Sequence, residues 1–198
     1  MRRVSKRVFA ILIVLLAITV LGSCNWMLSP FNHMSIDGTR YALDDFYIEY
    51  YGTWGEGGAH NLDLVFVSDG LTLTQAGYSG SGESLYIELF SGSWDLENGS
   101  YRYSDTYRAG TFSYADAVVG WRVGSGVDEV YVVTSGQVNV RNTLGGGYVI
   151  EFDFRALDVF TGSNVDITGR FRGSETDRFN YSMSFSEQPP EQKRMQFR

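Results

Sequence analysis

Tyr148-Val149-Ile150-Glu151-Phe152-Asp153-Phe154-Arg155 decides the fold class. Successive side chains of an extended chain point to opposite faces, so Tyr148, Ile150, Phe152 and Phe154 share one side, while Glu151, Asp153 and Arg155 share the other. Period two held for eight residues predicts a strand with one buried and one wet face. The same alternation recurs outward from this stretch: Phe46, Ile48 and Tyr50; Leu62, Leu64 and Phe66; Leu85, Ile87 and Leu89; Val138 and Val140; Val165 and Ile167 with Phe171. Tyr101 and Tyr103, Phe112 and Tyr114, Val130 and Val132, and Phe179 and Tyr181 bring the expectation to about ten strands. Between them stand Ser68-Asp69-Gly70, Asn98-Gly99, Gly145-Gly146-Gly147, Thr161-Gly162-Ser163 and Arg172-Gly173-Ser174. Short connections of this kind join antiparallel strands, because a parallel pair needs a long crossover. No window keeps a helical period for three turns. The expected fold is all-β with little helix: about ten antiparallel strands in a β-sandwich or a closed β-barrel, a lipocalin-like closure included.

The flanks read differently. Residues 1–23 contain Arg2, Arg3, Lys6 and Arg7 and no acidic residue, then an apolar run from Val8 to Leu21 broken only by Thr19. A charged start followed by an apolar segment short for a membrane span is the layout of a secretory signal. The run closes on Leu21-Gly22-Ser23-Cys24, which resembles the lipobox of bacterial lipoproteins. That resemblance implies cleavage before Cys24 and a lipid on its sulfur. Cys24 is the single cysteine, so no disulfide can form within the chain and packing must hold the domain together. Two or three acyl chains would anchor the protein durably, since each buried CH₂ contributes about 0.8 kcal/mol. The expected organisation is a signal peptide over 1–23, a lipidated N-terminus and tether over 24–38, one all-β domain over 39–186, and a flexible C-terminal tail over 187–198. Asn25 follows the cysteine where some bacteria place the aspartate that retains lipoproteins in the inner membrane. The expected location is therefore the cell envelope, lipid-anchored at the outer membrane.

Cleavage at this point leaves 12 basic against 23 acidic residues, a formal charge of −11. Such a surface repels phosphate backbones and anionic headgroups, which excludes nucleic acid as a partner and leaves the lipid on Cys24 as the membrane contact. Catalytic chemistry finds little support. An acylated Cys24 is no nucleophile, His33 falls in the tether, and His60 sits in the loop Gly57-Gly58-Ala59-His60-Asn61 with no Gly-x-Ser-x-Gly turn beside it. Asp44-Asp45 and Asp128-Glu129 are carboxylate pairs of the kind calcium uses, but their spacing fits no calcium loop, so no metal and no cofactor is expected. Glu49, Glu88, Glu151 and Asp153 are strand carboxylates on the polar face and are expected to be solvated.

Aromatic residues are the conspicuous excess, 29 of the 175 that follow the signal. Flat rings stack on sugar faces, and Tyr and Trp add a polar handle. Tyr47 and Tyr51 lie opposite the Phe46 face, Trp54 follows in a Gly-rich loop, Trp94 stands in another loop, and Tyr101 and Tyr103 form a second group. These six residues are the candidate ligand-binding set. Aromatics also fill β cores, which is the competing explanation.

Five further stretches belong together: Leu96-Glu97-Asn98-Gly99-Ser100-Tyr101-Arg102-Tyr103, Ala109-Gly110-Thr111-Phe112, Gly136-Gln137-Val138-Asn139-Val140, Tyr148 to Asp153, and Ile167-Thr168-Gly169-Arg170-Phe171-Arg172-Gly173. The series resembles one found in uncharacterised all-β envelope lipoproteins of gut- and mouth-dwelling bacteria. The resemblance implies a cell-envelope sandwich or barrel and carries no catalytic residue. Physically it describes consecutive hairpins, with Gly169 where a strand bends or lets a neighbour's large ring lie over it. The expected function is a non-enzymatic binding domain for a glycan, peptide or partner protein. Two other readings stand beside it: a structural or assembly subunit of an envelope complex or pilus, and a barrel-type carrier of a small apolar ligand.

Overall fold

The computed structural model describes residues 32–53 and 56–181. Twelve strands form: β1 (His33–Ile36), β2 (Thr39–Ala42), β3 (Asp45–Thr53), β4 (His60–Val67), β5 (Leu71–Thr74), β6 (Gly77–Ser91), β7 (Gly99–Tyr103), β8 (Thr111–Arg122), β9 (Glu129–Asn142), β10 (Tyr148–Asp158), β11 (Asn164–Gly173) and β12 (Asp177–Asn180). There is no helix among the described residues. Eleven strands follow one another in a single mixed sheet ordered β12-β3-β4-β6-β8-β7-β9-β10-β11-β1-β2, and β5 pairs with the first part of β6. The sheet is curled into a half-barrel. It is one sheet wrapped around a core rather than two stacked layers. Its two ends are tied by the chain itself, because only Leu43 and Asp44 separate β2, at one edge, from β3, beside the other.

The stretch Tyr148 to Arg155 lies within β10, where it pairs antiparallel with β9 and β11. Ile150, Phe152 and Phe154 are buried, whereas Asp153 and Arg155 are exposed. The concave side is filled by rings from strands far apart in the sheet order. Phe46 stacks on Phe66 at 4.7 Å between centroids and meets Phe171 at 5.3 Å, while Phe66 meets Phe171 at 5.4 Å and Phe152 at 6.4 Å. Contact between β3–β4 and β10–β11 across the interior is what makes the sheet curl around a single core. Each fully buried ring contributes about 1.5–3 kcal/mol.

Three expectations are corrected. The strands are not all antiparallel: β12 runs parallel to β3, and the end of β7 runs parallel to the start of β8. A seven-residue connection suffices for the second pairing because it spans only Arg102↔Thr111 and Tyr103↔Phe112. Residues 33–38, assigned to the tether, belong to the domain: β1 pairs with β11 and β2, and Met34 and Ile36 join the core. The segments around Val130 and Val138 are one strand, β9, whose first part pairs with β8 and whose second part pairs with β7. Cys24, the lipobox, Trp54 and the tail 187–198 lie outside the described residues.

Candidate functional site

Gly80 and Gly82 bend β6, so that the β5–β6 hairpin packs on the outer face of the sheet. Gly80 adopts φ +91°, and a Cβ there would lie 2.0 Å from the Gly70 carbonyl oxygen, so backbone approaches backbone where only hydrogen fits. A second apolar cluster results, built from Tyr47, Val65, Val67, Leu71, Leu73, Tyr86 and Phe179. Both faces of β4 are therefore covered, which is why Leu62-Asp63-Leu64-Val65-Phe66-Val67 is nearly continuous in apolar residues.

Beside this cluster, strand register sets carboxylates abreast. Glu49 faces Asp63, Asp63 faces Glu88, and Glu88 faces Tyr114. One row on, Tyr86 faces Asp116. Glu49, Asp63, Glu88 and Asp116 are all buried. Hydroxyl groups donate to each of them: Tyr51 to Glu49 at 3.3 Å, Tyr86 to Asp63 at 2.5 Å, Ser113 to Glu88 at 2.9 Å and Tyr114 to Asp116 at 2.8 Å. Burial, then the neighbouring carboxylates, pushes the Tyr51, Tyr78 and Tyr86 hydroxyls well above the ordinary tyrosine range, so they stay protonated. Burial also raises Asp116 to about 7, against the opposing hydrogen bond from Tyr114. Glu49 and Glu88 are thus not the solvated groups the alternation predicts, whereas Asp153 is exposed as expected.

A different constellation is exposed. Trp94, in the loop after β6, is 58% exposed, and the Arg178 guanidinium of β12 lies 5.5 Å from its ring centroid. Arg178 donates to Asp95 at 3.0 Å, to Glu175 at 3.1 and 2.9 Å, to the Trp94 carbonyl at 3.4 Å and to the Tyr148 hydroxyl at 3.3 Å. Burial disfavours the charge on Arg178, but Glu175 more than offsets it and the guanidinium is held above its ordinary value. The half-exposed indole thus carries a guanidinium over its ring, and Asp95, Glu175 and Tyr148 hold that guanidinium in place. No family model, curated protein or solved structure matches the chain.

Of the six candidate residues, the five that are described separate, and Trp54 lies outside the described residues. Trp94 stands at this exposed edge. Tyr47 and Tyr51 are buried on the outer face, where they stack against Phe179 and Tyr181 at 6.2 and 5.4 Å. Tyr101 is a core residue whose hydroxyl donates to the Glu97 carbonyl at 2.9 Å, and Tyr103 packs edge-on against Phe112. Tyr101 thus fills the interior, and Tyr103 is half-buried against it. Arg178, Asp95, Glu175 and Tyr148 escape sequence reasoning because strands distant in sequence bring them together.

The remaining titratable candidates have structural partners. His60 opens β4 with Nδ1 2.9 Å from the Tyr50 hydroxyl and 3.3 Å from Thr53 Oγ1. Asp44 accepts the Asp69 N–H at 2.8 Å, Asp45 accepts the Thr176 hydroxyl at 2.8 Å, and Asp128 pairs with Arg122 at 2.6 Å. Among the described residues no group of three or more His, Cys, Asp or Glu side chains is arranged to hold a metal ion.

Proposed function

We propose that this chain is a lipid-anchored, non-enzymatic binding protein of the bacterial cell envelope and that its ligand is a glycan, taken up at Trp94. The observation that supports this reading is the exposed indole of Trp94 with the Arg178 guanidinium over its ring, itself fixed by Asp95, Glu175 and Tyr148. A pyranose ring stacks its C–H face on an indole, while its hydroxyls accept from a guanidinium and donate to carboxylates. Attachment through Cys24 would place this edge in the envelope, where surface and wall polysaccharides lie within reach.

The other two readings have less support. The β2 edge is four residues long and carries Arg40, features that oppose strand addition in a pilus-like assembly. A hollow carrier needs an open centre, whereas the phenylalanine rings of this domain meet one another across the concave face.

The test is a glycan array that includes soluble peptidoglycan fragments, probed with the wild-type chain and with Trp94→Ala. Binding by the wild type that disappears in Trp94→Ala, with an unchanged unfolding midpoint, supports the assignment. Equal binding by both proteins, or none by either, overturns it.

A further inference from the structure

The loop that holds Trp94 and the turn between β9 and β10 lie side by side. The Asn142 N–H donates to the Asn98 side-chain oxygen at 2.5 Å, and Arg178, whose guanidinium lies over the Trp94 ring, donates to the Tyr148 hydroxyl at 3.3 Å. Leu144 stands in the turn between Asn142 and Tyr148 and is fully exposed. Its turn is held by hydrogen bonds from the Thr143 N–H to the Gly147 carbonyl at 2.7 Å, from the Gly146 N–H to the Thr143 carbonyl at 3.1 Å, and from the Gly147 N–H to the Thr143 hydroxyl at 3.1 Å. Turn tips favour Gly, Asn and Asp, and a single exposed leucine elsewhere would need no explanation. Here it stands beside an exposed indole, and the domain receives its chain at the same border.

Asn32, the first described residue, accepts the Arg172 N–H on its side-chain oxygen at 2.7 Å, and Arg172 faces Val149, the neighbour of Tyr148, across β10 and β11. Cys24 precedes Asn32 by eight residues, and extended chain reaches about 3.3 Å per residue, so the two are at most roughly 27 Å apart. The other exposed apolar pair, Val159 and Phe160, stands in the β10–β11 connection, at the far end of the same strands.

Charge distinguishes the two ends. Along β9, β10 and β11 the half nearer Tyr148 carries Arg141, Arg170 and Arg172 against Glu151, whereas the half nearer Asp158 carries Glu129, Asp158 and Asp166 against Arg155. Each of the three arginines is engaged within the chain, so the asymmetry is one of formal charge. Bacterial and other anionic headgroups attract the first half and repel the second.

We propose that the border of Leu144, Trp94 and Asn32 faces the bilayer, with Leu144 in its headgroup layer, and that the glycan taken at Trp94 is the headgroup of a glycolipid in that bilayer. The inference deepens the glycan reading and rests on it and on attachment through Cys24. Leucine suits the boundary between headgroups and acyl chains, and an indole there keeps its N–H wet while its ring leaves water.

The test uses the chain as exported and processed, purified in detergent and reconstituted into vesicles of phosphatidylethanolamine and phosphatidylglycerol. The vesicles contain no glycolipid, lipid A carrying core sugars, or a glycosyl diacylglycerol. Leu144→Cys and Phe160→Cys each carry the same environment-sensitive fluorophore. The label at 144 shifts to the blue and is quenched severalfold by lipids with a nitroxide headgroup, while the label at 160 does neither. One of the glycolipids increases the quenching at 144, and Trp94→Ala abolishes that increase. No response at 144, or an equal response at 160, overturns the proposed face. Quenching at 144 that is indifferent to both glycolipids overturns the glycolipid as ligand and leaves the glycan reading to the array. Fluorophore taken up by the chain without either substitution shows a free thiol at Cys24 and overturns the anchor together with the orientation.

Discussion

The Tyr114 hydroxyl donates to Asp116 at 2.8 Å, two residues further along the same strand, and is the one hydrogen bond that opposes the burial of that carboxylate. A single neutral donor cannot replace lost hydration, so the balance lies with the protonated acid.

Stability should therefore depend on pH through Asp116. Its folded value, about 7, lies above the ordinary 3.8, so the native state holds the proton more tightly than the unfolded chain. The contribution is complete below the unfolded value and is lost as pH rises through the folded one, which sets the window between about 4 and 7. Each unit corresponds to about 1.4 kcal/mol, so the loss amounts to a few kcal/mol. Asp116→Asn mimics the protonated form and retains an acceptor for Tyr114. Urea unfolding should show the variant more stable than wild type at pH 8 and similar to it near pH 4. A constant difference across that range would contradict the assignment.

Arg178 should position Trp94 rather than merely tether β12. The guanidinium makes its contacts to Asp95, Glu175 and Tyr148 as a planar fork, a geometry that lysine cannot reproduce. Arg178→Lys keeps the charge and loses the fork. The expected outcome is a weaker glycan complex, by about tenfold for each 1.4 kcal/mol lost, with a smaller change in the unfolding midpoint than Arg178→Ala. Glycan titrations followed by tryptophan fluorescence would measure it. Wild-type affinity in Arg178→Lys would remove Arg178 from the site.

Phe46→Ala tests the curl of the sheet. Phe46 is fully buried and touches rings from β4, β10 and β11. Its truncation should cost about 3–5 kcal/mol in urea unfolding. Phe160, 62% exposed in the β10–β11 connection, supplies the control. Phe160→Ala should stay within about 0.5 kcal/mol of wild type.

What sequence could reveal here follows from which interactions are local. Alternation in β10 needs only eight consecutive residues, and it located both the strand and its buried face. The same rule misjudged Glu49 and Glu88, because it assumes that the face opposite the core is wet. On β3, β4 and β6 that face carries a second apolar cluster, in which Leu71 and Leu73 of β5 and Phe179 of β12 pack against Tyr47, Val65, Val67 and Tyr86. The nearly continuous apolar run of β4 is a signal of two covered faces that alternation alone passes over, and Tyr47, Tyr51, Tyr86 and Phe90 at polar-face positions repeat it. β1, β2 and β5 are four residues each, too short for a period to emerge from composition. The parallel pairing of β12 with β3 joins segments about 130 residues apart, and no turn residue encodes a contact of that separation. The Trp94–Arg178 edge was invisible for the same reason.

Gly169 is the position where sequence reasoning and geometry agree most closely, and it yields the last prediction. Glycine in mid-strand suggested that a neighbouring ring passes over it, and Phe152, its register partner on β10, does so. A Cβ at residue 169 would lie 2.3 Å from Phe152 Cζ and 2.3 Å from the His33 carbonyl oxygen of β1. One obstacle is a side chain and the other is backbone, so the two can be separated by mutation. Gly169→Ala alone should destabilise by about 1–3 kcal/mol, the usual cost of overpacking. Phe152→Ala removes the ring and carries its own cavity penalty, so a double-mutant cycle is needed to isolate the coupling. In the Phe152→Ala background the added methyl should cost less than in wild type, but still more than zero, because the His33 carbonyl remains. Strict additivity would mean that the ring does not constrain Gly169. Complete relief would mean that β1 can move aside and is held less firmly against β11 than its four-residue pairing implies.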